Sequence, residues 1–158
     1  MTRPPTLRQM FFKKSKDQAP ELNIQWDLNA DNYIKSLDWF PKDEFHTLYP
    51  NGFAVGEVEV DKIYDFLEDQ SKIYDVDDLW KTADKSKTLG VIESWYNGIP
   101  LTPPLLNISC NKRIVIVGGN HRFNVFRIYG KGLLIFLVPF DIKDSISNII
   151  GEAVRWIK

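Results

Sequence analysis

The stretch RIVIVGGNHRFNVFRIYG, residues 113–130, constrains the fold more than any other part of this chain. Its first five residues contain the β-branched side chains that fit a buried strand, and two glycines follow. From Asn120 onward, apolar residues recur at three- to four-residue spacing, which predicts a helix that ends at Gly130 in a left-handed cap. The stretch therefore predicts a strand, a Gly-Gly turn and a short helix.

This turn has the chemistry of an anion site. The start of a helix leaves backbone N–H groups without intrahelical partners and carries partial positive charge, so it attracts phosphate. Gly118 and Gly119 would let the backbone approach a ligand, with Asn120, His121 and Arg122 at the mouth. A Gly-Gly pair in this position is also often just a tight turn, followed by a cap and solvated side chains. Both interpretations stay open on these residues alone.

The same residues resemble the signature of the ParB/sulfiredoxin superfamily, which reads G-G-x-H-R or D-G-x-H-R. The upstream order agrees, because a helical pattern over residues 85–96 leads into the proline-rich segment GIPLTPPLL and then a strand. The resemblance covers residues 55–140. It implies an α+β (mixed α/β) domain in which a small mixed sheet is packed by helices.

The resemblance also implies a nucleotide ligand, since members of this superfamily bind ATP or CTP through the His-Arg turn. Mg²⁺ is a further candidate cofactor. Sulfiredoxins use in addition a lysine and a hydroxyl residue three positions later on the preceding helix, and taken alone such a pair is an ordinary solvated helix face. The implied phosphate-binding residues are Gly118, Gly119, Asn120, His121, Arg122, Lys85 and Thr88.

Two departures from the family pattern bear on catalysis. Sulfiredoxins carry a reactive cysteine where this chain has Asn120, so a sulfiredoxin-type reductase is not expected. Cys110 is expected to be a small buried hydrophobe in a strand. Other members carry an aspartate where this chain has Gly118, so phosphotransfer would need another acid. The candidate catalytic residues are His121, Glu57, Asp61 and Glu93.

One leading function and two alternatives follow. The leading function is an ATP- or CTP-binding protein, which would be an NTPase or phosphotransferase if it is an enzyme. The first alternative is a non-catalytic regulatory module on the same fold, whose aromatic N-terminal segment recognises a protein or DNA. The second is a ParB-like nuclease, which needs a carboxylate-bound metal that this turn does not supply.

Length and composition limit the remaining classes. The 158 residues, 44% hydrophobic and 26% charged, fit an N-terminal tail and aromatic-rich extension (residues 1–52) before a ParB/sulfiredoxin-like domain (residues 53–158). A net charge of −1 gives no general affinity for nucleic acid or membranes, so DNA binding would need a local patch. One cysteine and two histidines exclude a disulfide framework and a recognisable zinc pattern. A cytoplasmic protein without a membrane-spanning segment is expected.

The N-terminal half carries three further patterns. Residues 1–16 are basic and contain no acid, which is typical of an interaction tail, a targeting peptide, or a floppy or strand-swapped terminus. Residues 21–51 are rich in aromatic side chains, and we expect a helix near residues 30–38 that packs in the core or against a partner, including a second copy. Residues 53–66 alternate, which predicts a half-exposed strand with Glu57, Glu59 and Asp61 on one side.

Three patterns remain. Asp75, Asp77 and Asp78 are expected to form a solvated turn before a helix anchored by Trp80, with Mg²⁺ binding as the alternative. Residues 132–140, GLLIFLVPF, predict a central strand covered on both faces. Residues 141–158 predict a closing amphipathic helix, capped by Asp144 or Ser145, whose apolar face would also suit a dimer contact.

Overall fold

The computed structural model describes residues 3–37, 41–73, 75–82 and 84–157. It has mixed α/β architecture, as predicted, with helices and one five-stranded sheet. The α-helices are α1 (Leu7–Phe11), α2 (Lys42–Leu48), α3 (Val60–Tyr64), α4 (Val76–Thr82), α5 (Lys85–Tyr96), α6 (Asn120–Tyr129) and α7 (Lys143–Ile150). The strands are β1 (Phe53–Glu59), β2 (Leu105–Ile108), β3 (Ile114–Gly118), β4 (Leu133–Pro139) and β5 (Arg155–Trp156). Short 3₁₀ helices lie at Ala30–Ser36, Asp69–Ser71 and Phe140–Ile142.

Contacts divide the chain into two compact units. Unit 1 comprises Met1–Gln25, Ile73–Leu101 and His121–Lys131, and unit 2 comprises Trp26–Lys72, Thr102–Asn120 and Gly132–Lys158. Each unit contains residues from both sides of the predicted boundary at residue 52. The two units therefore do not correspond to the predicted N-terminal extension and C-terminal domain. That division stays a prediction.

The sheet belongs to unit 2, and its strand order is β3-β2-β4-β1-β5. β4 lies at the centre, parallel to β2 and antiparallel to β1. Leu134, Phe136, Leu137 and Val138 of β4 are buried. The prediction of a central strand from the almost wholly apolar residues 132–140 is therefore confirmed, because a central strand buries both of its faces.

The first strand is shorter than its alternation suggests. β1 ends at Glu59, and the chain turns at once into α3, where Ile63 is fully buried. The prediction that Glu57, Glu59 and Asp61 share one side of the sheet is therefore wrong for Asp61, which is exposed on α3. Val60 and Ile63 are three residues apart, which fits one face of a helix as well as their neighbours fit a strand.

The predicted closing helix also ends early. α7 stops at Ile150, Gly151 adopts φ +87°, and β5 then pairs antiparallel with β1. Trp156 Nε1 donates to Ser147 Oγ at 2.8 Å, so the last strand is fastened to the helix before it. The helix follows the 3₁₀ turn Phe140–Ile142 and has Ile142 at its N-cap position, so the predicted caps are wrong.

The aromatic segment of unit 2 packs in the core. Its predicted helix is the 3₁₀ helix Ala30–Ser36, whose Asn29 side chain accepts a hydrogen bond from the N–H of Asp31. Residue 38 of the prediction lies outside the described residues. Core packing is confirmed by one buried cluster: Tyr33, Phe45, Val55, Leu105 and Leu137.

The N-terminal segment of unit 1 packs in the fold, so the prediction of a floppy terminus is wrong. α1 begins with a capping box in which the side chains of Thr6 and Gln9 bond each other's backbone N–H. Phe11 is fully buried, and Tyr129 Oη can donate to its carbonyl oxygen at 2.9 Å. Trp80, the predicted anchor of α4, is buried and donates to Tyr129 Oη at 3.0 Å.

In the part of the chain that the structure describes, each helix is too short or too polar to cross a membrane.

Candidate functional site

The structure confirms the strand, Gly-Gly turn and helix predicted for residues 113–130. β3 ends at Gly118, Gly119 adopts φ +79°, and α6 begins at Asn120. The pairing of β2 with β3 shifts register just before the turn, which leaves Val117 as the extra residue of a β-bulge. The left-handed Gly119 is what allows the chain to turn from the strand into the helix within one residue.

Gly118 is closed off by the protein itself. A Cβ placed there would lie 2.8 Å from the carbonyl carbon of Ser36, and closer still to its oxygen. The Ser36 hydroxyl donates to the carbonyl oxygen of Pro103, so this segment is tied to the residues that precede β2. Position 118 is therefore a glycine because no side chain fits there. The expectation that Gly118 binds phosphate stays a prediction.

Gly130, just after the other end of α6, also has no room for a side chain. It lies outside the left-handed region, so the predicted left-handed cap is wrong. A Cβ there would lie 2.5 Å from the Phe126 carbonyl oxygen and 3.0 Å from Ile24 Cδ1. The Gly130 carbonyl accepts a hydrogen bond from Lys16 Nζ at 2.5 Å, which joins the N-terminal segment to the end of the helix.

In unit 1, His121 and the start of α5 interact electrostatically. Asp84 caps α5 by accepting from the N–H of Lys87 at 3.1 Å. That bond chiefly lowers the pKa of Asp84 and burial opposes the change; smaller lowering contributions come from the N–H of Ser86, the charge of Lys87 and the charge that His121 carries when protonated. The turn residues His121 and Arg122 are both half-buried and belong to the same compact unit as α5.

Lys85 and Thr88 lie on α5, but they do not form one solvated face. Lys85 is exposed, and its Nζ lies 5.4 Å from the centroid of the Phe12 ring. Thr88 is fully buried, and its hydroxyl has no hydrogen-bond partner among the described residues. A buried hydroxyl without a partner costs on the order of 1–3 kcal/mol, so this position is unusual for a purely structural residue.

The candidate acids belong to different units. Glu93 is exposed on α5 in unit 1, whereas Glu57 and Asp61 belong to unit 2. Glu57 is half-buried on β1 and forms an ion pair with Arg155 Nε at 3.5 Å. Within the described ranges, no group of three or more His, Cys, Asp and Glu side chains has the arrangement of a metal site. Catalytic roles for these acids and for His121 stay predictions.

Cys110 is exposed, contrary to the prediction of a buried strand residue. It lies in the turn that joins β2 to β3, where the N–H of Lys112 bonds the carbonyl of Ser109. Ser109 to Arg113 form the tip of this hairpin, and the strand prediction failed because β2 already ends at Ile108.

Charge is divided unevenly between the units. Unit 1 contains eleven Lys and Arg residues against seven Asp and Glu, whereas unit 2 contains nine against fourteen. The overall charge of −1 therefore combines a basic unit with an acidic one. His121, Arg122 and Lys85 all belong to the basic unit, where an anion is favoured.

Sequence reasoning missed the contribution of the N-terminal segment to this region. Arg8 and Lys13, like Lys85, stand over the ring of Phe12. The helix itself could have been predicted, because Thr6 and Gln9 have the spacing of a capping box and mark the start of the short helix that contains Arg8. The packing of that helix beside α5 could not be read from its residues.

Comparison with protein-family models, curated proteins and solved structures finds no match to this chain. The ParB/sulfiredoxin resemblance therefore rests on the residues of the turn and on the order of the elements around it.

Proposed function

We propose that this chain binds the phosphates of a nucleotide, ATP or CTP, through His121 and Arg122 at the start of α6. The observation that carries the proposal is the geometry of the turn, in which left-handed Gly119 leads at once into α6 and places His121 and Arg122 in the first turn of that helix. Lys85, at the start of α5, belongs to the same unit, which carries excess positive charge.

The side chains present fit a phosphate. Arg122 offers a planar guanidinium that can donate two parallel N–H bonds to phosphate oxygens, and His121 offers one further donor. Lys85 adds an ammonium group. The partial positive charge at the start of a ten-residue helix favours the same ligand. Gly118 is not included in the proposed site, since the Ser36 backbone occupies the space beside it.

Thr88 supports the proposal in a second way. Its hydroxyl is buried and lacks a partner among the described residues, one helical turn after Lys85. The resemblance assigns a ligand-binding role to a hydroxyl at this spacing. A ligand oxygen that reached Thr88 would remove the cost of leaving this group unpaired.

Gly118 favours a second candidate function, the non-catalytic binding module. Related enzymes carry a carboxylate at this position, and here Ser36 leaves no room for one. The nucleotide would then act as a regulatory ligand. Measurement of Mg²⁺-dependent phosphate release from ATP and CTP separates the two, because the binding module predicts saturable binding without turnover.

The proposal is tested by calorimetric titration of ATP and CTP into the wild type, Arg122→Ala and Arg155→Ala. Arg155 is an exposed arginine of unit 2, so its replacement controls for the loss of one positive charge. We expect saturable binding that Arg122→Ala weakens by about tenfold or more, since a charge-assisted hydrogen bond contributes roughly 1.5–3 kcal/mol. Binding that is absent from folded wild type, or unchanged in Arg122→Ala, contradicts the proposal.

A further inference from the structure

Three cations converge on the half-buried ring of Phe12. Arg8 Cζ lies 5.2 Å from the ring centroid, and the Nζ atoms of Lys13 and Lys85 each lie 5.4 Å from it. We call Arg8, Lys13 and Lys85 the Phe12 cation cluster. Arg8 and Lys13 come from the N-terminal segment and Lys85 from the first turn of α5, and all belong to unit 1.

This arrangement concentrates positive charge. A ring has two faces, so at least two of the three cations share one face. All three lie within about 11 Å of one another, which is close to one Debye length at 0.1 M salt, so they repel. Among the described residues, none of the three forms an ion pair with an Asp or Glu side chain.

Cation–π attraction, about 0.5–1 kcal/mol for each exposed pair, keeps the three cations beside the Phe12 ring in spite of their mutual repulsion. Lys13 also adopts φ +56°, a conformation that non-glycine residues rarely take. An anion bound among the three charges would remove their mutual repulsion. Its phosphate oxygens would be recognised by one guanidinium and two ammonium groups.

We propose that the Phe12 cation cluster binds the distal phosphates of a nucleoside triphosphate whose remaining phosphate contacts His121 and Arg122. The link is the start of α5, where Lys85 stands over the Phe12 ring and belongs to the same compact unit as His121 and Arg122; the charge of His121 also contributes to lowering the pKa of Asp84, the residue before Lys85. This inference deepens the proposed function and relies on it for the second contact. Two groups of cations suit a chain of linked phosphates better than a single phosphate, so the ligand is a triphosphate.

The test is calorimetric titration of ATP, ADP, AMP and inorganic triphosphate into five proteins: wild type, Arg8→Gln/Lys13→Gln, Arg8→Lys, Lys14→Gln and Arg122→Ala. Lys14 is the matched control, because it is exposed and adjacent to Lys13, and its contact with Tyr129 uses only the backbone carbonyl. Arg8→Lys keeps the charge and serves as a conservative replacement. Thermal melts confirm that each variant is folded; if the double variant is not, Arg8→Gln alone takes its place.

We expect wild type to bind ATP more tightly than ADP, and ADP more tightly than AMP. The double variant should bind ATP and inorganic triphosphate about tenfold more weakly, since each exposed cation contributes a few-fold, and should bind AMP as wild type does. Lys14→Gln and Arg8→Lys should match wild type. ATP affinity that is unchanged in the double variant, or equally weakened in Lys14→Gln, overturns the inference.

The Arg122→Ala arm separates this inference from the proposed function. If Arg122→Ala loses ATP while the double variant keeps it, the His-Arg site stands and the cation cluster does not. If the double variant loses triphosphate while Arg122→Ala keeps it, the cluster stands and the His-Arg site fails. If wild type binds neither ATP nor inorganic triphosphate, both are overturned.

Discussion

Replacing Gly118 by alanine should disrupt the segment that closes the signature turn. The added Cβ would lie 2.8 Å from the Ser36 carbonyl carbon and 3.0 Å from Leu37 Cδ2, and closest of all to the Ser36 carbonyl oxygen. Because the nearest atoms belong to backbone, no rotation of a side chain can relieve the clash. The Ser36 segment must move away from β3.

The cost has two parts. Forcing an extra carbon into a packed region costs about 1–3 kcal/mol, and loss of the hydrogen bond from Ser36 to Pro103 costs about 0.5–1.5 kcal/mol. We therefore expect Gly118→Ala to lower the free energy of unfolding by about 2–4 kcal/mol. For a chain of this length, that corresponds to a fall of about 5–15 °C in Tm.

Thermal and urea denaturation, followed by circular dichroism, measure this change. Gly90→Ala is the matched control, because Gly90 lies inside α5 and a Cβ there meets no described atom within 4 Å. It should raise the free energy of unfolding by about 0.5–1 kcal/mol, since alanine is the better helix former. The reasoning is refuted if Gly118→Ala unfolds within 0.5 kcal/mol of wild type, or if both replacements have the same sign.

Three further predictions concern single residues. Tyr129→Phe should cost about 1–3 kcal/mol, because Trp80 Nε1 loses its buried acceptor. Burial also raises the pKa of Tyr129, so the free energy of unfolding of wild type should fall as pH rises above 10.0. Thermal melts across this pH range should show a smaller fall for Tyr129→Phe, which has no ionisable group at this position. Phe11→Ala should lower the free energy of unfolding by about 3–5 kcal/mol in urea titrations, whereas a floppy terminus predicts no change. Cys110 should react with a thiol reagent in the folded protein as fast as in urea; protection would show that it is buried.

Elements whose boundaries depend on local pattern could be predicted from the sequence. α4, α5, β4 and the strand-turn-helix at the signature were predicted because hydrophobic period, capping residues and glycines agree within each segment. Core packing of the aromatic segment followed from the usual role of clustered aromatic side chains.

The failures depend on residues distant in sequence. Gly118 was interpreted through ligand contact, but it is small because the Ser36 segment approaches it; Gly130 was interpreted through its backbone conformation, but Ile24 approaches it, in addition to the neighbouring Phe126. β5 has two residues, and only its pairing with β1 makes it a strand. These partners are separated by long stretches of sequence, which periodicity over a single segment does not register.

In the candidate site, too, local sequence patterns could be predicted, whereas contacts between distant segments could not. His121, Arg122 and Lys85 were chosen by residue type and spacing, which a motif supplies. Arg8 and Lys13 were not, because their place beside Lys85 depends on how α1 packs. Closure of Gly118 by Ser36 likewise required the folded chain.

The most direct test of the central claim is an ATP titration followed by two-dimensional ¹H–¹⁵N NMR, with backbone amides and the Nε group of Arg122 assigned. We predict that the largest shift changes occur at His121, Arg122, Lys85 and Lys87, and that they saturate together with one dissociation constant. Amides of β4 and β5 in the acidic unit should change little and serve as the internal reference. Absence of shifts at the starts of α5 and α6, or saturating shifts confined to unit 2, would contradict a phosphate site at the His-Arg turn.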